Sequence, residues 1–241
     1  MEIINVEGIV LKSVKYNESS KIINILTKEY GLIGVMAKGA LKPKSSLRVL
    51  SENFSYASFQ ISYKKDKIST LIEADTIDYF LNIKSDLEKY SYLNYLAELT
   101  YNVYKENSSA DIYDIFKNAI LKIEEGYNPK VITNIVEVKY LDYLGIGLYL
   151  DGCVVCAKTS VSTISISKGG FVCANHRGID KEYLPNTIKM IKAYYYVDIS
   201  KISDLKIKED VINEIDEFLT LYYKEYTGLY LKSKKFLKDI K

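Results

Sequence analysis

The sequence predicts an α+β fold in which a small N-terminal β-barrel precedes an α-helical domain with a metal-binding insertion. Three observations support this prediction. Apolar residues alternate with a period near two over the first 80 residues and with a helical period afterwards. All three cysteines and the one histidine fall within residues 153–176. The chain, at 241 residues, is long enough for two domains.

The first part of the chain contains five short segments that are typical of β-strands. Lys28-Glu29-Tyr30-Gly31 joins two of them in a turn, where glycine suits a positive φ, and Lys65-Asp66 joins two others. Five strands joined by hairpins and one long loop predict an OB-fold barrel, although the spacing by itself also allows an SH3-like barrel. The segments are residues 7–12, 21–27, 32–38, 54–64 and 67–74.

The second part of the chain shows helical spacing. Ser85 and Glu88 have the spacing of a capping box, which predicts a long helix that ends near Lys105. Asn128 and Pro129 form an N-cap and first helical position, and this helix should end near Gly145. We therefore expect one domain at residues 1–80 and a second at 81–241. Further helices are predicted over residues 110–125, 185–197 and 209–226.

The cysteines and the histidine have the spacing of two paired metal-binding knuckles, C-x₂-C-x₁₆-C-x₂-H. Cys153, Cys156, Cys173 and His176 would complete a tetrahedral shell around a structural Zn²⁺ at about residues 150–180. A closed shell of this kind would stabilise a loop-rich insertion that has little core of its own. Two alternatives stay open, namely a redox-active CxxC pair and cysteines that bind no metal.

The basic residues of the chain are concentrated near its start. Residues 1–72 contain 11 Lys/Arg against 6 Asp/Glu, although the whole chain carries a net charge of only +2. The segment between the third and fourth predicted strands holds four cations, Lys38, Lys42, Lys44 and Arg48, which are suited to DNA phosphates. Nearby aromatic residues could stack on bases or form barrel core: Tyr16, Tyr30, Phe54, Tyr56, Phe59 and Tyr63.

Several classes of protein are disfavoured by the sequence. The N-terminus lacks the features of a signal peptide, and no apolar run approaches the roughly 18 residues of a membrane span. The sequence contains neither a P-loop nor a G-x-G-x-x-G motif, and its single histidine is a predicted metal ligand. We therefore expect a non-enzymatic protein of the reducing cytoplasm, with no catalytic residues and no cofactor other than structural Zn²⁺.

Four sequence blocks together resemble the RecO family of bacterial recombination mediators. They are VEGIVLKSVKYNESSKIINILTKEYGLIGVMAKGALKPKSS, YLGIGLYLDGCVVC, GGFVCANH and GLYLKSKKFL. The resemblance implies an N-terminal OB-fold and a helical domain with a zinc module. It also implies binding and annealing of single- and double-stranded DNA, association with the nucleoid, and partnership with RecR and with the C-terminal tail of the single-strand-binding protein SSB. RecA would be loaded indirectly, as SSB is replaced.

Two positions depart from the pattern of that family. His176 stands where zinc-binding relatives often have cysteine, although histidine is a competent ligand. Ala157 follows the first knuckle where glycine is common, which predicts a less relaxed turn. Two other functions remain compatible with the sequence. One is a zinc-containing regulator that binds RNA or DNA without SSB or RecA, and the other is a protein-binding adaptor.

Overall fold

The structure is a computed structural model that describes residues 2–239 of the chain. Its first five strands form a closed barrel in the order β1-β2-β3-β5-β4. All strand pairs are antiparallel except β3 and β5, which close the barrel in parallel. This topology confirms the predicted OB-fold. The strands are β1 (Glu2–Lys15), β2 (Lys21–Thr27), β3 (Gly31–Ala37), β4 (Tyr56–Tyr63) and β5 (Ser69–Asp78).

The long first strand pairs with two neighbours. Its first half lies antiparallel to β4, with Glu2 opposite Tyr63, and its second half pairs with β2, with Lys15 opposite Lys21. Gly31 ends the predicted turn between β2 and β3 with a φ of 64°, as the glycine there predicts. The inward side chains of all five strands form a continuous apolar core, in which Ile25, Val35 and Phe59 are fully buried.

Helices make up most of the remaining chain. A short hairpin interrupts them, formed by β6 (Thr163–Ser165) and β7 (Gly170–Val172). The helices are α1 (Leu47–Leu50), α2 (Leu81–Lys84), α3 (Leu87–Glu106), α4 (Asp111–Glu124), α5 (Pro129–Tyr143), α6 (Pro185–Tyr196), α7 (Glu209–Tyr226) and α8 (Lys232–Asp239). Short 3₁₀ turns lie at Ala174–His176 and Ile199–Lys201.

The helix ends test the capping predictions. Asn128 caps α5 by accepting from the backbone N–H groups of Lys130 and Val131, and Pro129 is its first residue, as predicted. The prediction that Ser85 and Glu88 form a capping box at the start of α3 was wrong. Asp86 is the N-cap, because its carboxylate accepts from two backbone N–H groups. Ser85 instead ends the short helix α2.

The chain divides into two compact units between Lys117 and Asn118. The first unit contains the barrel, α1 to α3 and the first half of α4. Glu7 on β1 links the barrel to α4 in this unit, since its carboxylate accepts from Tyr56, Tyr113 and Lys117. The second unit contains the hairpin β6–β7 and helices α5 to α8.

Candidate metal centre and nucleic-acid interface

The side chains of Cys153, Cys156, Cys173 and His176 converge in the second unit. Their ligand atoms all lie within 4.8 Å of one another. The Nδ1 atom of His176 is 3.5 Å from the sulfur of Cys153 and 3.4 Å from that of Cys173. The sulfurs of Cys156 and Cys173 are 3.9 Å apart. A tetrahedral ion with metal–sulfur bonds of about 2.3 Å requires sulfur–sulfur edges of about 3.8 Å, so the four residues could hold such an ion.

The first knuckle is a tight backbone turn around Cys153 and Cys156. The backbone N–H of Cys153 donates to the carbonyl of Lys158 at 2.8 Å, and that of Ala157 donates to the carbonyl of Cys153 at 2.7 Å. Ala157 adopts a left-handed conformation, with a φ of 59°, which agrees with the prediction that the backbone turn at this residue is less relaxed. Gly152 is also required here, because a Cβ atom would lie 2.9 Å from the carbonyl oxygen of Lys158.

The second knuckle follows the hairpin β6–β7. Cys173 directly follows strand β7, and the next 3₁₀ turn brings His176 back toward it. The backbone N–H of His176 donates to the carbonyl of Cys173 at 3.0 Å. Cys153, Val172 and Cys173 form one buried apolar cluster, and Leu150, Ile164 and Phe171 are also buried in this region. We refer to residues 149–176 as the metal module. Two residues of that cluster are also candidate ligands, so an ion held there would join the two knuckles.

The charges of the thiols favour a cation at the centre. Burial raises the pKa of Cys153, but hydrogen bonds from the backbone of Cys173, Val155 and Cys156 outweigh burial and lower that pKa to about 5. The Lys158 backbone lowers the pKa of Cys156, yet burial and the neighbouring thiol groups outweigh it and raise that pKa. Neighbouring thiolates at these distances repel one another, and a bound cation removes this cost. The donor set therefore fits a metal ion.

The four predicted DNA-binding cations are all exposed. Lys38, Lys42 and Lys44 lie in the irregular connection between β3 and β4, and Arg48 lies in α1. We call residues 38–48 the basic connection. In the part of the chain that the structure describes, none of the four cations takes part in a salt bridge. Their charges are therefore available to an anionic partner.

The loop between β1 and β2 packs against the basic connection. The backbone N–H of Leu41 donates to the carbonyl of Ser19 at 2.9 Å, and that of Gly39 donates to the hydroxyl of Ser20 at 3.4 Å. This contact adds the exposed side chains of Lys15 and Tyr16 to the same end of the barrel. Lys15 was not among the predicted DNA-binding residues, although its place beside a hairpin turn was a usable signal.

The candidate stacking residues fall into two groups. Phe54, Tyr56 and Phe59 are buried and belong to the core of the first unit. Tyr16 is 59% exposed, and Tyr30 is 38% exposed with its ring edge packed against Tyr63. Tyr16 therefore has the exposure that base stacking requires, together with a position beside the basic connection.

The second unit also contains a groove of about 400 Å³ that the sequence analysis did not foresee. One wall belongs to the metal module and includes Leu150 and Phe171. The other wall is helix α6, which contributes Ile188, Lys189 and Lys192. The lining is thus mostly apolar and carries two cations together with the carboxylate of Asp151. No pattern in the sequence joins these segments, because the groove forms only where the hairpin packs beside α6.

No helix within residues 2–239 combines the length and the apolar composition that crossing a lipid bilayer requires. The described chain is thus an α+β protein with an OB-fold barrel, an exposed basic connection and a Cys₃His cluster suited to a metal ion. These features define a class of small barrel proteins with a metal-ligating helical unit.

Comparison with known proteins identifies the family. Residues 1–80 match the family description "Recombination protein O N terminal", and residues 84–235 match "Recombination protein O C terminal". The chain is 37% identical to the DNA repair protein RecO of Bacillus subtilis (strain 168), over 96% of this chain and 92% of that protein. It is 32% identical to DNA repair protein RecO of Listeria innocua, over 97% and 93%. The chain belongs to the RecO family of DNA repair and recombination proteins.

Proposed function

We propose that this chain is a non-catalytic recombination mediator that binds and anneals DNA and helps to replace SSB with RecA on single strands. The observation that carries this proposal is the basic connection, whose four cations are exposed and form no salt bridge within residues 2–239. Phosphates attract such cations regardless of base sequence, which suits a protein that must pair any two complementary strands. The protein would then act at the nucleoid.

The two parts of the chain would have different roles. Residues 1–80 form the nucleic-acid-binding domain, in which Lys38, Lys42, Lys44 and Arg48 hold the DNA backbone and Tyr16 stacks on bases. Residues 81–241 form a helical domain whose zinc module lies at about 150–180. We assign Zn²⁺ to the Cys₃His cluster, because three sulfurs and one imidazole nitrogen suit its preference for soft tetrahedral ligands. Its role is structural, since all four positions of the shell are taken by protein.

The partners follow from the same proposal. RecR would bind this chain and assist the transfer to RecA. The C-terminal tail of SSB, which is acidic and apolar, would bind in the groove between the metal module and α6. The apolar floor at Leu150 and Phe171 suits its apolar side chains, and Lys189 and Lys192 suit its carboxylates.

The basic connection is tested by reversing the charge of Lys42, Lys44 and Arg48 to glutamate. We expect affinity for single-stranded DNA at fixed salt to fall by roughly tenfold or more, and the salt dependence of binding to become shallower. The control reverses Lys201, Lys206 and Lys208, which are exposed in the second unit and give the same change in net charge. Equal losses of affinity in both variants would mean that only the overall charge of the protein matters. An unchanged affinity in the first variant would show that the basic connection does not bind DNA.

The mediator role is tested by annealing complementary strands that are already coated with the cognate SSB. We expect this protein to accelerate annealing, and we expect the acceleration to vanish when SSB lacks its C-terminal tail. Intact DNA binding with no acceleration on SSB-coated strands would instead indicate a zinc-containing nucleic-acid-binding regulator.

A further inference from the structure

We propose that metal binding and tail binding are coupled, because the metal module forms one wall of the groove that receives the SSB tail. The inference rests on the proposed function for the identity of the tail. Its new content is regulatory: the bound metal strengthens binding of the acidic tail, and the bound tail slows loss of the metal. By thermodynamic linkage the two effects on affinity are equal.

The first step is the closeness of groove residues to metal ligands. Gly152 lines the groove and directly precedes Cys153, and Phe171 lines the groove two residues before Cys173. Backbone hydrogen bonds join the two knuckles across this wall. The N–H of Val154 donates to the carbonyl of Phe171 at 2.8 Å, and the N–H of Phe171 donates to the carbonyl of Tyr149 at 2.9 Å. A shift of either knuckle therefore displaces the groove wall.

The second step is the weakness of the module without its ion. Strands β6 and β7 are three residues long each, and the cluster between the two knuckles contains only Val172 besides two cysteines. Leu150, Ile164 and Phe171 are also buried in the module, but an ion would supply the direct cross-link between the knuckles. The wall that carries Leu150 and Phe171 is then held more firmly in the metal-bound state.

The third step is the firmness of the opposite wall. Helix α6 packs against α5 and α7 and holds Ile191 and Tyr194 buried, so the position of the helix does not depend on the metal module alone. Asp151 connects the two walls at the rim, since it lies 3.6 Å from the ammonium of Lys192 and accepts from the Tyr196 hydroxyl at 3.2 Å. The metal module thus also orients the rim lysine that a tail carboxylate would contact.

The chemistry of the groove selects its occupant. Leu150, Phe171 and Ile188 offer an apolar lining, and Lys189 and Lys192 outnumber the one carboxylate of the lining, Asp151, which pairs with Lys192. An acidic peptide with apolar side chains satisfies both features, whereas a basic peptide would meet like charge. A tail that contacts both walls holds the module in its ordered state, and this is the state that holds the metal.

The test measures zinc release from the intact protein into a chromogenic chelator, with and without a saturating tail peptide of the cognate SSB. A coupled gain in metal affinity of about tenfold lies within the usual range, and because such gains fall mostly on dissociation, we expect the peptide to slow release by about the same factor. A peptide with the same acidic residues but with its apolar residues replaced by serine should have no effect. This measurement uses the folded, metal-loaded protein, so it does not depend on whether the metal-free protein folds.

A matched pair of variants locates the effect. Lys192→Ala should weaken peptide binding and abolish the slowing, while Lys201→Ala, which changes an exposed lysine outside the groove, should do neither. Peptide binding that is sensitive to Lys192→Ala but leaves zinc release unchanged would overturn the coupling and keep the tail site. Absence of peptide binding, or binding that is insensitive to Lys192→Ala, would overturn the tail site in the groove and the coupling with it.

Discussion

The barrel and the metal module are both small β structures, yet they are stabilised in opposite ways. The barrel has five strands of 7 to 14 residues, and all five contribute to one apolar core. The module has two strands of three residues, and the cluster between its knuckles contains one valine and two candidate metal ligands. The barrel is held by its own side chains, whereas we propose that an ion holds the two knuckles of the module together. Removal of the metal should therefore destabilise the module and leave the stability of the barrel unchanged.

The largest expected effect is the loss of a metal ligand. Cys173→Ala removes one of four ligands and part of the local core, so zinc content and the stability of the second unit should fall together. The loss should reach several kcal/mol, since structural zinc supplies on the order of 10 kcal/mol in small domains. Metal analysis and thermal unfolding would measure it, with Val155→Ala, an exposed position between the first two ligands, as the control. A stable wild-type protein without metal would contradict the interpretation.

The second effect is a cavity in the barrel. Phe59→Ala removes a fully buried ring on β4 and should destabilise the first unit by about 3–5 kcal/mol. Zinc content should not change, because the metal ligands lie in the other unit. Denaturant unfolding followed by circular dichroism would measure the loss. The neighbouring exposed residue supplies the control, Ser58→Ala, for which we expect little change.

The third effect is a pH dependence that belongs to the barrel unit. Burial raises the pKa of Glu7, but hydrogen bonds from Lys117, Tyr56 and Tyr113 outweigh it and lower that pKa from 4.5 to about 2. The carboxylate therefore stabilises the folded state above pH 4.5, and this contribution is lost as pH falls from 4.5 to about 2. Because the side chain is 42% exposed, solvent screening reduces the contribution to about 1–2 kcal/mol.

Glu7→Gln tests that contribution directly. The variant should be less stable than the wild type at neutral pH, and the difference should shrink in acid, where the wild-type carboxylate is protonated. Unfolding in urea at several pH values would show the convergence. A difference that stays constant down to pH 2 would mean that the ionised state of Glu7 contributes nothing to stability.

The smallest effect concerns the first knuckle. Ala157→Gly relieves a left-handed conformation that costs about 1–2 kcal/mol for a residue with a Cβ atom. Glycine adds an entropy cost of about 0.5–1 kcal/mol, so the net gain should be about 1 kcal/mol or less. Slower zinc release and a slightly higher melting temperature would support this. Ala174→Gly in the neighbouring 3₁₀ turn should instead destabilise the module.

Local signals predicted the elements that depend on local chemistry. Strand β2 and helix α7 have the predicted bounds, and Asn128 caps α5 as expected. The spacing of the cysteines and the histidine was sufficient to predict that the four residues converge. In each case the information lies within one short segment of the chain, at most the 24 residues from Cys153 to His176.

The features that were missed depend on contacts between distant segments. Glu7 and Lys117 are 110 residues apart in sequence, and the groove requires residues of the metal module and α6 to meet. Helix α8 is strongly basic, and its charges concealed the helical pattern. The choice between Ser85 and Asp86 as N-cap is decided by the extra short helix α2, which carries no clear signal of its own.

The double pairing of β1 has a consequence for synthesis on the ribosome. Glu2 is made before its partner Tyr63, which follows 61 positions later. At about 5–20 residues per second, the first half of β1 waits for about 3–12 s with its hydrogen-bonding groups exposed. The hairpin of β1 and β2 can form at once and protects only the second half. The nascent chain is therefore most prone to mispairing before β4 has emerged.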